Sequence, residues 1–385
     1  MWNLFKAKSN VFLGVDFGTS SIKVVELLYD NDRTHLKNYG WIDFKKQPKK
    51  DDANNLNIVL DTTEKNNRQM NLKNSLAVLL SAMKPESHSV YAAMPGISGL
   101  VALIDFPQMD KKELDKAIQY EAHKYIPVPL DEVYLSWDVV SRIKDEETGL
   151  LSLYNQKNER KDTKKNKNKK AMQVLLVAAP KDEVENYENL ITSLNFKMTS
   201  LELSMFASAR SLVGDDLGGY LIIDIGADTT DIILVDRGVI KINRIIDVGG
   251  NEVTKAVASS MNISWQRAES FKRQKRGIIF SQNSQLIIPA LDLISGEAIR
   301  TIENYRHKSL TDVRIDKIIL SGGGSRLSGI DKYFSQALNI STEIGNPWKG
   351  IVIDKNIEKK VKNYGTSLAV AIGLAEKGIK DFQRN

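Results

Sequence analysis

Val11-Phe-Leu-Gly-Val-Asp16-Phe-Gly18-Thr-Ser-Ser21-Ile-Lys23-Val-Val-Glu-Leu27 is the stretch whose reading decides the fold. The apolar run 11–15 reads as a buried strand ending in Asp16, and 22–28 as a second strand carrying Lys23. Gly18, Thr19, Ser20 and Ser21 form the turn between them. Such a hairpin brings backbone N–H groups, hydroxyls and one carboxylate to a single tip. Glycine lets a ligand approach the backbone, the donors suit phosphate oxygens, and Asp16 can hold Mg2+ through water. Taken alone, the stretch is equally an ordinary β-hairpin with a polar turn.

The device recurs. Residues 221–235 run strand, Asp224-Ile-Gly226, the small polar turn Ala227-Asp228-Thr229-Thr230, then strand again. A third glycine turn, Ser321-Gly322-Gly323-Gly324-Ser325-Arg326, follows the apolar run 318–320. Two Asp-x-Gly hairpins followed by a late triple glycine resemble the actin-like ATPase superfamily of actin, DnaK-type chaperones and sugar kinases. That resemblance implies an α/β fold of two ribonuclease H-like lobes around a nucleotide cleft. The hairpins would grip the phosphates of ATP from opposite lobes, and the glycines would lie against adenosine.

Composition agrees with a large folded chain. At 385 residues it exceeds one ordinary core, and 42% hydrophobic with 26% charged residues is globular usage. No apolar run approaches the ~20 residues that span a bilayer, and the first residues read as no signal peptide. The absence of cysteine removes thiol chemistry and fits a cytoplasmic setting. The net charge of +6 sits in residues 157–170, with eight basic and two acidic side chains. This run lacks aromatic residues to stack on bases, so a solvated loop is expected rather than a nucleic-acid contact.

The order of segments sets the expected domains. Residues 1–99 form the first lobe with hairpin one, a strand at 34–44, a helix at 72–83 and a strand at 90–94. Residues 100–179 form an inserted α+β subdomain: a strand at 100–106, a helix capped by Asp110, and strands at 133–143 and 172–179, with the basic loop 155–170 between the last two. Residues 180–213 return to the first lobe through helices at 181–194 and 201–213, the latter beginning at Glu202. Residues 214–362 form the second lobe, with 342–360 a polar connection, and 363–385 a small-residue helix packing back on the first lobe.

Within the second lobe, Gly249-Gly250-Asn251 opens a helix, and helix N-termini receive anions. Glu269 and Lys272 are three apart on one helix face, either an exposed ion pair or, by the superfamily resemblance, a carboxylate and amine for the ribose and adenine. Glu202 is either a carboxylate favoured by its helix N-terminus or, by resemblance to DnaK-type chaperones, a group near the attacking water and Mg2+.

The middle of the chain narrows the choice. Asp105-Phe-Pro107, the helix with Glu121-Ala122, and Tyr125-Ile-Pro127-Val-Pro129, followed by Glu132-Val133 and Trp137-Asp138, resemble the PilM family of type IV pilus assembly. Phe17 stands where that family more often has a smaller aliphatic. The resemblance implies a cytoplasmic scaffold, peripheral at the inner face of the membrane and reaching it only through partners. It would bind ATP with Mg2+, dock the N-terminal cytoplasmic peptide of PilN between the inserted subdomain and first lobe, and couple it to the pilus motor ATPases. The strand 100–106 and helix 110–124 are expected to wall the docking groove. Turnover is expected to be weak at most, with Glu202 as the only nameable water-orienting group. An FtsA-like cell-division protein and a sugar or acetate kinase are the alternatives.

Overall fold

The computed structural model describes residues 10–44, 65–142, 171–273, 289–308 and 314–384. The basic loop, Trp2, Leu4, Phe5 and most of 45–70 lie outside the described residues. The chain divides into two compact units, one of residues 1–96 with 186–385, the other of 97–185.

The larger unit holds two sheets. In the first, β1 (Val11–Phe17), β2 (Ser21–Asp30) and β3 (Arg33–Asp43) run antiparallel, and β4 (Ser89–Met94) and β8 (Lys197–Leu203) continue parallel to β1. All seven residues of β1 are buried, as expected of a strand covered on both faces. Helix α1 (Lys65–Met83) packs Leu72, Leu76, Leu79 and Leu80 inward. The second sheet has the order β11 (Val239–Ile246), β10 (Thr230–Asp236), β9 (Gly219–Ile225), β12 (Lys317–Ser321), β13 (Thr342–Ile344). Its core is an aliphatic cluster centred on Ile223, Ile232, Leu234 and Leu320 with Phe334 beneath.

Two helices tie the sheets together. Helix α4 (Ser204–Leu212) follows β8, and α10 (Gly365–Arg384) is rich in small residues along its buried face. A Cβ on Gly14 would collide with the carbonyl of Ala371, and one on Gly373 with that of Ala207, so glycine permits the closest helix approaches. At its start, α10 accepts the Gly322 amide and the Ser321 hydroxyl on the Thr366 carbonyl, at 3.1 and 3.3 Å. The helix therefore lies on the first sheet while its first turn is bonded to the second.

The smaller unit is a three-stranded antiparallel sheet, β5 (Leu100–Pro107), β7 (Ala171–Pro180), β6 (Val133–Arg142), covered by α2 (Lys111–Ala122). The Asp110 carboxylate caps α2 by accepting the Glu113 amide at 2.8 Å. Leu114, Ile118 and Ala122 face Val174 and Leu176, giving this unit its own core. Helix α3 (Lys181–Thr192) leads back into the larger unit, where Tyr187 packs on Phe17.

Two expectations are corrected. Glu202 does not begin a helix: it lies in β8 opposite Ala93, and α4 starts only at Ser204. The β-edge pairing available beside β4 outweighs local helix preference in the stretch Met198–Leu203. The polar connection 342–360 contains β13, the two-residue strand β14 (Ile351–Val352) and α9 (Lys355–Lys362), because each finds a sheet edge or an apolar seat through Val361.

Candidate functional site

The two hairpins are built alike. In the first, the Gly18 amide closes the turn on the Ser21 carbonyl at 3.0 Å; in the second, the Gly226 amide closes on Thr229 at 2.9 Å. Each aspartate faces the residue seven positions on across its ladder, Asp16 opposite Lys23 and Asp224 opposite Asp231. Directly opposed residues project from one face of a sheet. Thr19 and Ser20 in one tip, and Ala227 and Asp228 in the other, lie outside the strand ladders.

These tips share one electrostatic environment. The Lys23 ammonium is 3.0 Å from Asp16, and the lysine side chain is 21% exposed. Burial works to lower its pKa, but Asp16, then Asp224 and Asp43, outweigh that and hold it above the ordinary lysine value. Asp224 is pushed up to about 6, by burial first, with Asp16 adding and Lys23, Ser321 and Ser208 opposing. The Ser208 hydroxyl lies 3.4 Å from Asp224 and comes from α4. Asp231 is pushed up to about 7, by burial and then by Asp224 and Asp16, against a bond from Ser204.

A second group of candidate residues is assembled from α5 (Gly250–Met261), α6 (Trp265–Arg273) and the glycine turn. Glu269 is drawn down to about 2: burial would raise it, but Lys272, Thr254 and Arg273 all hold the charged form. Lys272 sits below its usual value through burial, and its three donors reach Gly250 carbonyl, Thr254 Oγ1 and Glu269 at 2.8, 2.7 and 2.7 Å. Gly322 takes φ +76 beside Asp224, a backbone state glycine supplies without strain. Ser325 donates to the Gly322 carbonyl at 2.8 Å and closes that turn.

Several expected contacts are thus brought together and others are already engaged. Asp16, Lys23 and Asp224 converge, with Gly18 beside Lys23 and Gly322 beside Asp224. The Gly250 and Asn251 amides donate to the Gly226 and Ala227 carbonyls at 2.9 and 2.8 Å, so this helix start braces hairpin two. Asn251 also bonds Asp228 at 2.7 Å, and Thr230 bonds the Val248 carbonyl at 2.7 Å. Glu202 forms a two-pronged pair with Arg210, at 2.7 and 3.1 Å, and a second pair with Lys377 at 3.0 Å. Arg210 further donates to the Gly373 carbonyl at 2.7 Å, so Glu202 joins β8, α4 and α10.

Asp231 is the residue that sequence reasoning passes over. The signal was present, since its spacing from Asp224 equals that of Lys23 from Asp16. Three clustered carboxylates against one lysine leave a deficit of positive charge at the tips. Among the described residues no set of three protein ligands converges on a point that would hold a bare metal ion. Asp16 and Asp224 would suit a Mg2+ ion that arrives with polyphosphate and keeps mostly water ligands.

Within the smaller unit, a groove of about 840 Å³ runs between α2 and β6. Met109, Lys111, Leu114 and Asp115 line one side, Trp137 and Val139 the other. Helix α2 lines this groove on one side and β6 on the other, while β5 lies at the opposite edge of the sheet, beyond β7.

Comparison with known proteins places this geometry. The chain matches the family model for type IV pilus assembly protein PilM over residues 14–153 and 160–379. It superposes on the structure titled "PilM-PilN type IV pilus biogenesis complex" with TM-score 0.72 and 24% identity, covering 96% of this chain and 98% of that one. Ethanolamine utilization protein EutJ from Carboxydothermus hydrogenoformans gives TM-score 0.50 at 14% identity, with 96% and 90% covered. The cell division protein FtsA of Neisseria meningitidis is 23% identical over 275 residues, 65% of this chain and 63% of that one. FtsA of Borreliella burgdorferi is 24% identical over 369 residues, 88% and 85%. The chain thus spans less than two thirds of the Neisseria relative. The fold is the actin-like ATPase fold.

Proposed function

We propose that this chain, which belongs to the PilM family of type IV pilus assembly, is an ATP-binding scaffold that holds Mg2+–ATP between its two aspartate hairpins. The observation that carries this reading is the mutual field of Asp16, Lys23, Asp224 and Asp231, contributed by two separate sheets. Lys23, the tip amides and the hydroxyls of Thr19, Ser20 and Ser21 would face phosphate oxygens, as would Thr229 from the other side, with Thr230 bracing that tip through its bond to the Val248 carbonyl. Asp16 and Asp224 would hold the metal's water shell. Gly322, Gly323, Gly324, Ser325 and Arg326 would border adenosine, with Glu269 toward the ribose and Lys272 holding that carboxylate in place. Bound Mg2+ neutralises phosphate charge.

Hydrolysis needs an oriented water besides metal and phosphate donors. Glu202 is committed to two cations, which supports slow turnover. The chain then acts through nucleotide-dependent binding. The solved relative is by its title a PilM–PilN complex, and on that basis the partner is the N-terminal cytoplasmic peptide of PilN, lying in the α2–β6 groove. An edge strand offers main-chain pairing and the groove offers apolar pockets. Coupling onward to the motor ATPases, and a cytoplasmic place at the membrane's inner face through PilN, follow from this reading. No helix among the described residues is long and apolar enough to cross a membrane.

The test is calorimetric titration of a PilN tail peptide into the chain with and without Mg2+–ATP. Micromolar binding that shifts with nucleotide is expected, weakened at least tenfold by Trp137→Ala. The FtsA relatives support a second reading, a cell-division scaffold on the same fold, which predicts no binding of this peptide in either state.

A further inference from the structure

We infer that Tyr364 is a positioning residue for Arg326, and that Trp41 extends its support into the first sheet, so that a stack drawn from both lobes holds the purine end of the cleft. The inference rests on the nucleotide reading above. The Arg326 guanidinium lies over the Tyr364 ring, 4.3 Å from its centroid. Tyr364 packs against Trp41 at 4.7 Å with 34° between the planes, and Trp41 in turn stacks on Tyr39 at 6.4 Å and 24°. Tyr39 and Trp41 belong to β3; Arg326 ends the glycine turn that follows β12.

Arg326 is exposed, and among the described residues it has no ion-pair partner. An arginine in that position is normally free to sample many rotamers. A face-on ring removes that freedom and leaves the in-plane N–H donors pointing away from it. The ring is itself fixed relative to the turn, since Thr366, two residues on, accepts both Gly322 and Ser321. Arg273, one residue beyond Lys272, feels Tyr364 and Asp43 of β3 as well as its bond to Glu269. The Arg326 guanidinium of the second lobe therefore meets an aromatic pair packed on the first. A purine nucleotide, whose base presents a flat face and edge acceptors, is the ligand this arrangement would retain.

Release of a fluorescent ATP analogue, chased with excess ATP in Mg2+ by stopped flow, tests the role of the stack. Tyr364→Leu should speed release about three- to fivefold, the size of an exposed cation–π contact, with association changed less than twofold. Tyr364→Phe should restore release to within twofold. Arg326→Lys, which keeps the charge but loses the plane, should match Arg326→Ala, and this exposed site leaves folding unaffected. The Tyr364→Leu, Arg326→Ala double variant should be no faster than either single one. Additive effects, or Arg326→Lys behaving as wild type, would overturn the inference while leaving the nucleotide site standing. A wild-type chain that retains no analogue would overturn the nucleotide reading and the stack's role with it.

Discussion

Hairpin one and hairpin two share a backbone and differ in charge. Asp16, Gly18, Ser21 and Lys23 occupy the same places as Asp224, Gly226, Thr229 and Asp231, with the same closing bond and the same cross-strand register. In the first, the aspartate faces its own counter-ion; in the second, it faces another carboxylate. Opposite charges directly across a ladder stabilise it and like charges oppose it. The repeated turn thus fixes where the ligand groups sit, and the sign of one partner decides whether the hairpin is satisfied alone. Hairpin two draws its opposing positive charge from outside its strands, from Lys23.

The comparison breaks most visibly at the aspartates. On the proposed reading, Asp16→Ala and Asp224→Ala should each weaken Mg2+–ATP retention by roughly a hundredfold or more, since each would remove a carboxylate from the metal's shell. Their effects on the ligand-free chain should be opposite. Asp16→Ala strands a mostly buried ammonium and should cost about 2 kcal/mol, whereas Asp224→Ala relieves a repulsion and should raise the melting temperature. Melting curves that move in the same direction would end the distinction between the hairpins.

A pH series sharpens it. Asp231 has a folded value of about 7 against an ordinary 3.8, and Asp224 about 6. Between these limits the folded chain keeps protons that the unfolded chain has released, so unfolding becomes easier as pH rises. The stability from the neutral carboxyls is full below about 4 and lost as pH climbs through 6 to 7. Glu376, raised by burial to about 7, acts in the same direction. Asp231→Asn should therefore raise the melting temperature at pH 8, leave it unchanged near pH 4, and flatten the slope between them. An unaltered slope would show that Asp231 is not the titrating group.

The smallest of the three effects concerns Glu202. With Arg210 and Lys377 both bonded to it, Glu202→Gln should cost about 1–2 kcal/mol of stability and change ATP turnover less than twofold. A tenfold fall in turnover without loss of stability would return Glu202 to a catalytic role.

Much of this was legible in the sequence because it rests on local rules. The hairpins, the Asp110-capped helix and the small-residue helix at 365–384 each follow from periodicity and turn chemistry. What stayed hidden depends on partners distant in the chain. Glu202 reads as a helix start until β4 recruits its segment as a strand. Gly250 and Asn251 read as anion donors until the carbonyls of Gly226 and Ala227 take their amides. Asp231 reads as one more polar strand residue until its register opposite Asp224 is known.

The most direct measurement replaces Mg2+ with Mn2+ and reads the phosphorus couplings of bound ATP by electron–nuclear double resonance. One Mn2+ per chain, coupled to phosphorus and lost in both Asp16→Asn and Asp224→Asn, is the expected result. Full phosphorus coupling in either variant would mean that a single hairpin holds the metal nucleotide, and would contradict a site shared between the two.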